Sequence, residues 1–160
     1  MKLSKRLQAI ADLITGGAAV ADIGTDHGYL PVYLAKSGLY RNIIASDISA
    51  SSLAAAHRSA ANAYVTEAIK FVVAPGLDGI AQTEVDTIVI AGLGGETILD
   101  ILKNAPWTML RRVKLILQPQ SKIDILFRFL YDNKYKIEQT KSVLDRGKHY
   151  TAYLVTGGVT

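Results

Sequence analysis

The stretch AVADIGTDHGYLP at residues 19–31 decides the fold, because it joins a short apolar run to a helical segment through a loop that contains glycine. Residues 19–23 predict a buried strand. Residues 29–36 predict a helix with Pro31 in its first turn, where a missing N–H costs no hydrogen bond. A strand that leads through such a loop into a helix opens a β-α-β unit, so the segment predicts an α/β protein.

The rest of the chain continues the alternation of strands and helices. Further helices are predicted at 2–14, 50–63 (N-cap Ser49 or Ser51), 96–103 and 121–133 (N-cap Ser121). Further strands are predicted at 42–47, 69–73, 87–91, 113–118, 135–144 and 149–156, the last two joined by the turn Asp-Arg-Gly at 145–147. This order predicts a doubly wound, mostly parallel seven-stranded sheet of the Rossmann-like type with a C-terminal antiparallel hairpin. We expect residues 1–160 to form a single domain.

Composition excludes several classes of protein. The 160 residues contain no cysteine, which excludes disulfides and Cys-ligated zinc, and His57 and His149 lack metal-ligand spacing. No run of 18 apolar residues is present, and the N-terminal segment does not resemble a secretory signal, so we expect a cytoplasmic protein without a membrane segment. The net charge of +4 permits binding to a polyanion but does not require it.

The loop after the first strand carries two carboxylates, Asp22 and Asp26, beside Gly24 and Gly28. A dinucleotide diphosphate at this place would meet like charges, and the glycine spacing of the dinucleotide fingerprint is missing. A ligand with an ammonium or sulfonium group would be attracted instead, and S-adenosyl-L-methionine carries both. The loop therefore favours that cofactor over NAD, although a plain glycine turn capped by aspartate would have the same sequence.

The second strand ends at Asp47, 25 residues after Asp22. A carboxylate at this position can accept hydrogen bonds from the two hydroxyls of a ribose. The same residue can also cap the helix that follows it. In combination with the first loop, the ribose interpretation is favoured.

Five segments in order resemble the bacterial tRNA (adenine-22-N1)-methyltransferases, which are class I S-adenosylmethionine-dependent enzymes. The matching segments are LSKRL at 3–7, ADIGTDHGYLP at 21–31, IAGLGG at 90–95, LQP at 117–119 and GKHY at 147–150. The resemblance covers nearly the whole chain and implies the class I methyltransferase fold, methylation of N1 of adenine 22, and tRNA as the partner. It implies neither a metal nor a membrane, and we expect a monomer or weak homodimer.

The resemblance also implies a set of site residues, in which the first loop surrounds the methionine end of the cofactor, Asp47 contacts the ribose and the loop after the third strand contacts the adenine. The expected cofactor-binding residues are Asp22, Gly24, Thr25, Asp26, His27, Gly28, Tyr29, Leu30, Asp47, Ile48, Pro75, Gly76, Leu77, Asp78, Ala91, Gly92 and Gly94. The expected substrate-binding residues are Arg6, Gly95, Gln118, Pro119, Arg146 and Lys148.

The chain departs from the family pattern at three places. Ala74-Pro75-Gly76-Leu77 replaces a common Gly-Asp-Gly-Leu, and Gln120 follows Leu-Gln-Pro where an asparagine is usual. The C-terminal helical coiled-coil domain of the family is not expected within these 160 residues. At the first of these places Pro75 stands where the family has an aspartate that contacts the amino group of the cofactor. Asp78 or the backbone would have to make that contact instead.

The implied reaction needs no strong general base, because adenine N1 already has a lone pair. A carboxylate beside the cationic product would stabilise it, and Asp26 is the candidate, with a purely structural role as the alternative. His27 and Tyr29 can orient or stack on a base, or serve only the local turn. Two alternatives to the methyltransferase remain at this point: an NAD-dependent oxidoreductase, and a non-catalytic RNA-binding module that keeps the fold.

Overall fold

The computed structural model describes residues 2–160, which form one seven-stranded sheet with helices on both faces. The strands are β1 (Ala19–Ile23), β2 (Asn42–Asp47), β3 (Lys70–Val73), β4 (Thr87–Leu93), β5 (Lys114–Pro119), β6 (Lys136–Asp145) and β7 (Lys148–Thr156). The α-helices are α1 (Lys5–Ala11), α2 (Tyr29–Ser37), α3 (Ala50–Asn62), α4 (Gly95–Lys103) and α5 (Ile123–Asp132). Two 3-10 turns, Thr66–Ala68 and Pro106–Met109, complete the order.

The sheet has the order β3-β2-β1-β4-β5-β7-β6, which confirms the predicted fold class. Strands β1 to β5 are parallel, and β7 lies antiparallel between β5 and β6. The chain reverses between β6 and β7 through Arg146 and Gly147, both at positive φ (53° and 77°). Two consecutive positive φ angles are typical of a type I′ turn, which agrees with the hairpin turn that the sequence predicts at 145–147.

Alternating side chains divide the core between the two faces of the sheet. Ile88 and Ile90 of β4 pack with α4 and α5 on one face, whereas Val89 packs with α1 and α2 on the other. All three are fully buried. Burial on both faces explains why the central strands read as continuous apolar runs, and it makes β1 and β4 a rigid base for the loops that follow them.

Two helices start later than predicted, and α1 also ends earlier, at Ala11 and not at residue 14. Helix α1 begins at Lys5, not at residue 2, because Ser4 is its N-cap and accepts a hydrogen bond from the Leu7 amide. Helix α5 begins at Ile123, and Ser121 is not its N-cap. Lys122 occupies that position in the left-handed region at φ 52°, without a side-chain cap.

Strand β4 is two residues longer than predicted. Its ladder with β5 continues past a bulge at Gly92 until Leu93 pairs with Pro119. The two 3-10 turns were not predicted, because three or four residues do not build up a helical period. The bulge matters for the site, since Leu93 beyond it lies against the first loop, where a Cβ on Gly24 would be 3.9 Å from Leu93 Cδ1.

Gly95 allows α4 and α5 to approach each other. Its amide donates a 2.7 Å hydrogen bond to the Ser121 carbonyl, and a Cβ at this position would overlap the carbonyl oxygen of Lys122. This backbone contact explains why α5 starts late: the Ser121 carbonyl is bound to α4 and the chain must turn at Lys122.

We predict that Gly95→Ala lowers the free energy of unfolding by about 2–4 kcal/mol, because the added methyl meets rigid backbone and the helices must separate. Gly16→Ala is the matched control, since Gly16 has open space around its Cβ direction and no positive φ. Urea denaturation of both variants checks this. Equal stability of the two variants would contradict a close helix approach at Gly95.

Candidate functional site

Two adjoining cavities lie where the parallel strands end, which is where open α/β sheets bind their ligands. The larger has a volume of about 850 Å³ and the smaller about 310 Å³. Both are lined by Arg6, Gly24, Asp26 and Ala91, so they share one wall. A ligand in the larger cavity can therefore meet a second ligand that enters the smaller one.

Loops after four strands and the face of α4 surround the larger cavity. The sequence-predicted residues on its wall are Arg6, Gly24, Asp26, Asp47, Ile48, Pro75, Gly76, Leu77, Asp78, Ala91 and Gly92. Ile48 is 72% exposed at the rim, which leaves an apolar side chain facing the opening. The apolar parts and the carboxylates together suit a ligand that has both a flat ring and charged groups.

The charge of the larger cavity is strongly one-sided. Its wall carries four carboxylates, Asp26, Asp47, Asp78 and Asp100, and Arg6 is the one cationic side chain among the described lining residues. Such a wall attracts a cation and repels a diphosphate. The preference for a cation over a diphosphate, which the sequence predicts for the first loop, therefore holds for the whole cavity.

Asp47 is held rigidly at the end of β2. One carboxylate oxygen accepts a hydrogen bond from the Asp26 amide at 3.0 Å and the other accepts from the Ser49 amide at 3.0 Å. Ser49 in turn is the N-cap of α3, so the capping role belongs to Ser49 while Asp47 supports the turn before it. Each carboxylate oxygen keeps a further lone pair for a ligand hydroxyl.

Asp22, at the next strand end, is a buried carboxyl group. Its side chain accepts a 2.9 Å hydrogen bond from the Thr25 hydroxyl. Burial raises the pKa of Asp22 to about 7, although the Thr25 hydroxyl and the charge of Arg6 act in the opposite direction. The carboxyl is therefore balanced between its two protonation states near neutral pH, and a cation that approaches it would favour the ionised form.

The smaller cavity has aromatic walls. The His27 and Tyr29 rings stack with centroids 5.4 Å apart, and the Tyr150 ring also lines this cavity. Tyr29 is 48% exposed, so its ring is available to a ligand. Arg146, from the hairpin turn, stands at the same opening. Flat rings with a cation beside them are suited to an unstacked base of a nucleic acid.

The structure divides the other predicted site residues into two groups. Asp22, Thr25, His27, Tyr29, Leu30 and Arg146 line the smaller cavity, next to the larger one. Gly28, Gly94, Gly95, Gln118, Pro119 and Lys148 line neither cavity. Lys148 still lies close by, with its ammonium 5.6 Å from the centroid of the Tyr150 ring.

Three of the glycines predicted to face a ligand lie in close contact with neighbouring segments. A Cβ on Gly28 would lie 2.6 Å from that of Ala56, because α2 and α3 are in close contact there. A Cβ on Gly94 would meet the Ser121 hydroxyl at 2.9 Å, and Gly95 is the close approach described above. These close contacts, which a single sequence does not reveal, fix the backbone next to the cavities, and the ligand contacts of the three glycines stay a prediction.

Sequence reasoning missed the contribution of α4 and the turn after it. Thr97, Asp100, Ile101, Asn104 and Trp107 complete the wall of the larger cavity. The spacing of the first four is that of a single helix face, which was visible in the sequence. Nothing in the sequence indicated that this face turns toward the strand ends.

Two kinds of feature are absent from residues 2–160, a membrane-spanning helix and a cluster of metal ligands. No helix in that range combines the length and apolar composition that crossing a bilayer requires. The same range contains no group of three or more His, Cys, Asp or Glu side chains arranged to hold a metal ion.

The sequence and the fold of the chain are both similar to those of methyltransferases. A family model described as a methyltransferase domain matches residues 3–152. The tRNA (adenine(22)-N(1))-methyltransferase of Bacillus subtilis is 34% identical over 158 residues, covering 99% of this chain and 66% of that protein. The chain thus spans just under two thirds of this relative.

Two solved structures of relatives contain ligands of interest. A putative tRNA (m1A22) methyltransferase of Streptococcus pneumoniae, in complex with S-adenosyl-L-methionine, matches with a TM-score of 0.91 and 32% identity, covering 99% of this chain and 75% of that one. A relative from M. capricolum, in complex with S-adenosyl-homocysteine, matches with a TM-score of 0.86 and 29% identity, covering 99% and 70%.

The raised pKa of Asp22 predicts a stability that falls as the pH rises from about 4 to 7. In that window the unfolded carboxyl is ionised while the folded one keeps its proton, so folding takes up a proton and is penalised by increasing pH. Asp22→Asn removes this dependence. Between pH 4 and 8 we expect the wild-type protein to lose stability relative to the variant, by at most about 4 kcal/mol.

Urea denaturation at several pH values measures this difference. Asp132→Asn, on the exposed face of α5, is the matched control and should give a curve parallel to that of the wild-type protein. Parallel curves for Asp22→Asn and the wild-type protein would mean that Asp22 titrates as an ordinary exposed carboxyl.

Proposed function

The chain belongs to the methyltransferase family that includes the bacterial tRNA (adenine-22-N1)-methyltransferases, and we propose that it transfers a methyl group from S-adenosyl-L-methionine to N1 of adenine 22 in tRNA. The observation that carries the proposal is the carboxylate-lined cavity at the ends of β1, β2 and β4. A cavity with four carboxylates and one guanidinium fits a cofactor whose methionine end bears an ammonium and a sulfonium. It does not fit the diphosphate of NAD.

We assign the parts of the cofactor to the wall by their chemistry. The ammonium and sulfonium would lie by Gly24 and Asp26 on the shared wall, beside Asp22 of the smaller cavity. The ribose hydroxyls would donate to the free lone pairs of Asp47. The adenine ring would lie between the exposed Ile48 and the loop Pro75–Asp78, which offers apolar surface and the Asp78 carboxylate.

The smaller cavity is the proposed place of the target base. His27, Tyr29 and Tyr150 provide rings against which an unstacked adenine can lie, and the shared wall brings its N1 toward the larger cavity. When bound, the cofactor supplies the electrophilic methyl carbon. The lone pair of adenine N1 forms the new bond to that carbon, and the electron pair of the broken carbon–sulfur bond stays on sulfur.

Asp26 is the proposed catalytic residue. It is exposed to both cavities, and its backbone is held by Asp47 at a positive φ of 56°. Because the transfer moves positive charge from sulfur to the base, a carboxylate beside the base stabilises the transition state and the cationic product more than the reactants. Orientation of the two reactants supplies much of the remaining rate enhancement.

Contacts with the RNA backbone are assigned to the hairpin tip, where Arg146 and Lys148 flank the smaller cavity. Their charges suit phosphates, and this binding would weaken as salt concentration increases. We place the protein in the cytoplasm, where its substrate is found, as a monomer or weak homodimer.

Incubation of the protein with radiolabelled cofactor and bulk tRNA, followed by mapping of the methylated nucleoside, tests the function. We expect 1-methyladenosine at position 22. For Asp26→Asn we expect the turnover number to fall by about 10²-fold or more with an unchanged melting temperature, because only the charge is removed. Cofactor binding without methyl transfer to any tRNA would support a non-catalytic RNA-binding module, and an Asp26→Asn variant with full turnover would remove Asp26 from the chemistry.

Asp47→Ala should weaken cofactor binding by about 1–3 kcal/mol, since the ribose would lose hydrogen bonds to a charged group. Isothermal titration calorimetry with S-adenosyl-L-methionine measures the change, and Asp132→Ala serves as the control. An unchanged affinity in the Asp47→Ala variant would mean that the ribose lies elsewhere.

A further inference from the structure

Arg6 occupies an unusual position on the wall that the two cavities share. Its wall neighbours in the larger cavity include the four carboxylates described above, and Asp22 lies close enough for the charge of Arg6 to lower its pKa. A guanidinium in such surroundings would be expected to pair with a carboxylate. Within residues 2–160, however, no carboxylate forms an ion pair with the side chain of Arg6.

Neutral groups hold the guanidinium instead. Its Nη1 donates a 2.7 Å hydrogen bond to the side-chain oxygen of Gln118, and its Cζ lies 5.7 Å from the centroid of the Tyr150 ring. The Arg6 amide donates to the Asp145 carboxylate at 3.2 Å, which ties α1 to the end of β6. Gly92 lies beside the guanidinium, since a Cβ there would be in ordinary contact with Nη1 at 3.5 Å.

Gln118 is well placed to hold Arg6 and poorly placed to touch a substrate. It is only 3% exposed, and in the ladder between β4 and β5 it lies opposite Ala91 of the shared wall. Its Nε2 is buried and has no hydrogen-bond partner within the described residues, and the residue lines neither cavity. Within that range, its side chain forms one hydrogen bond, which its oxygen accepts from Arg6. This differs from the substrate contact that the sequence predicts for Gln118.

We infer that Gln118 is a positioning residue that keeps Arg6 away from the carboxylates of the cofactor cavity. Released from Gln118, the guanidinium on its flexible stem would pair with Asp26 or Asp47 and occupy the place of the cationic ligand. Held by Gln118 and Tyr150, it leaves those carboxylates free. The inference rests on the proposed function, because it needs the larger cavity to accept a cation.

The test is the affinity for S-adenosyl-L-methionine, measured by calorimetry, of Gln118→Met, Arg6→Met and the double variant. Methionine has about the volume of glutamine but offers no comparable acceptor to Arg6. Gln118→Met should bind the cofactor roughly three- to tenfold more weakly, the size expected for competition by a partly exposed ion pair. Arg6→Met and the double variant should both bind within about threefold of the wild-type protein, because no guanidinium is left to compete.

Two further variants sharpen the test. Gln118→Glu keeps an oxygen acceptor for Arg6 and should preserve the affinity to within about threefold. If Nε2 bound the cofactor directly, this variant would lose that contact and bind more weakly. Gln139→Ala, an exposed glutamine on β6, is the matched control and should bind like the wild-type protein. Should Gln118→Met fail to fold, as judged by its melting curve, Gln118→Ala replaces it in the same scheme.

Three results would overturn the inference: unchanged affinity in Gln118→Met, an equal loss in the double variant, or a large loss in Arg6→Met. The second would show that Gln118 acts without Arg6, and the third that Arg6 itself holds the cofactor. Absence of cofactor binding by the wild-type protein is a different outcome, since it refutes the proposed function from which the inference starts.

Discussion

The site depends on one electrostatic constraint, the placing of carboxylates at the ends of buried strands. Asp22 and Asp47 lie near the C-terminal ends of neighbouring parallel strands, after residues 19–21 and 43–46 that are fully or almost fully buried, so neither side chain can move far. Burial keeps the dielectric constant low and makes an unpaired carboxylate costly. A cationic ligand relieves that cost, and a stable fold thereby acquires a preference for positive charge at this edge.

The same constraint explains why the surrounding structure is tightly packed. Gly28 brings α2 against α3 behind the first loop, and Gly95 brings α4 against α5 behind the end of β4. These contacts hold the loops in the positions where Asp26 and Asp47 share a hydrogen bond. Arg6 could neutralise the carboxylates from within the protein. Its hydrogen bond to the neutral side chain of Gln118 prevents this.

Much of this could be predicted from the sequence, and the failures have a common cause. Strand and helix order, the hairpin turn and the acidic loop follow from local patterns, and the resemblance of the motifs adds the family. The late start of α5, the helix face around Asp100 that lines the larger cavity, and the hydrogen bond between Arg6 and Gln118 all join segments that are distant in the chain. Local patterns carry no information on such contacts, so the packing of Gly28, Gly94 and Gly95 against neighbouring segments could not be predicted either.

The most direct test of the account is a calorimetric comparison of S-adenosyl-L-methionine and NAD over the range from pH 6 to pH 8. A cation that binds beside Asp22 favours its ionised form and releases the proton that burial retains, so the affinity for S-adenosyl-L-methionine should rise through this range, and NAD should not bind. Tight binding of NAD without binding of S-adenosyl-L-methionine would contradict the account at its foundation.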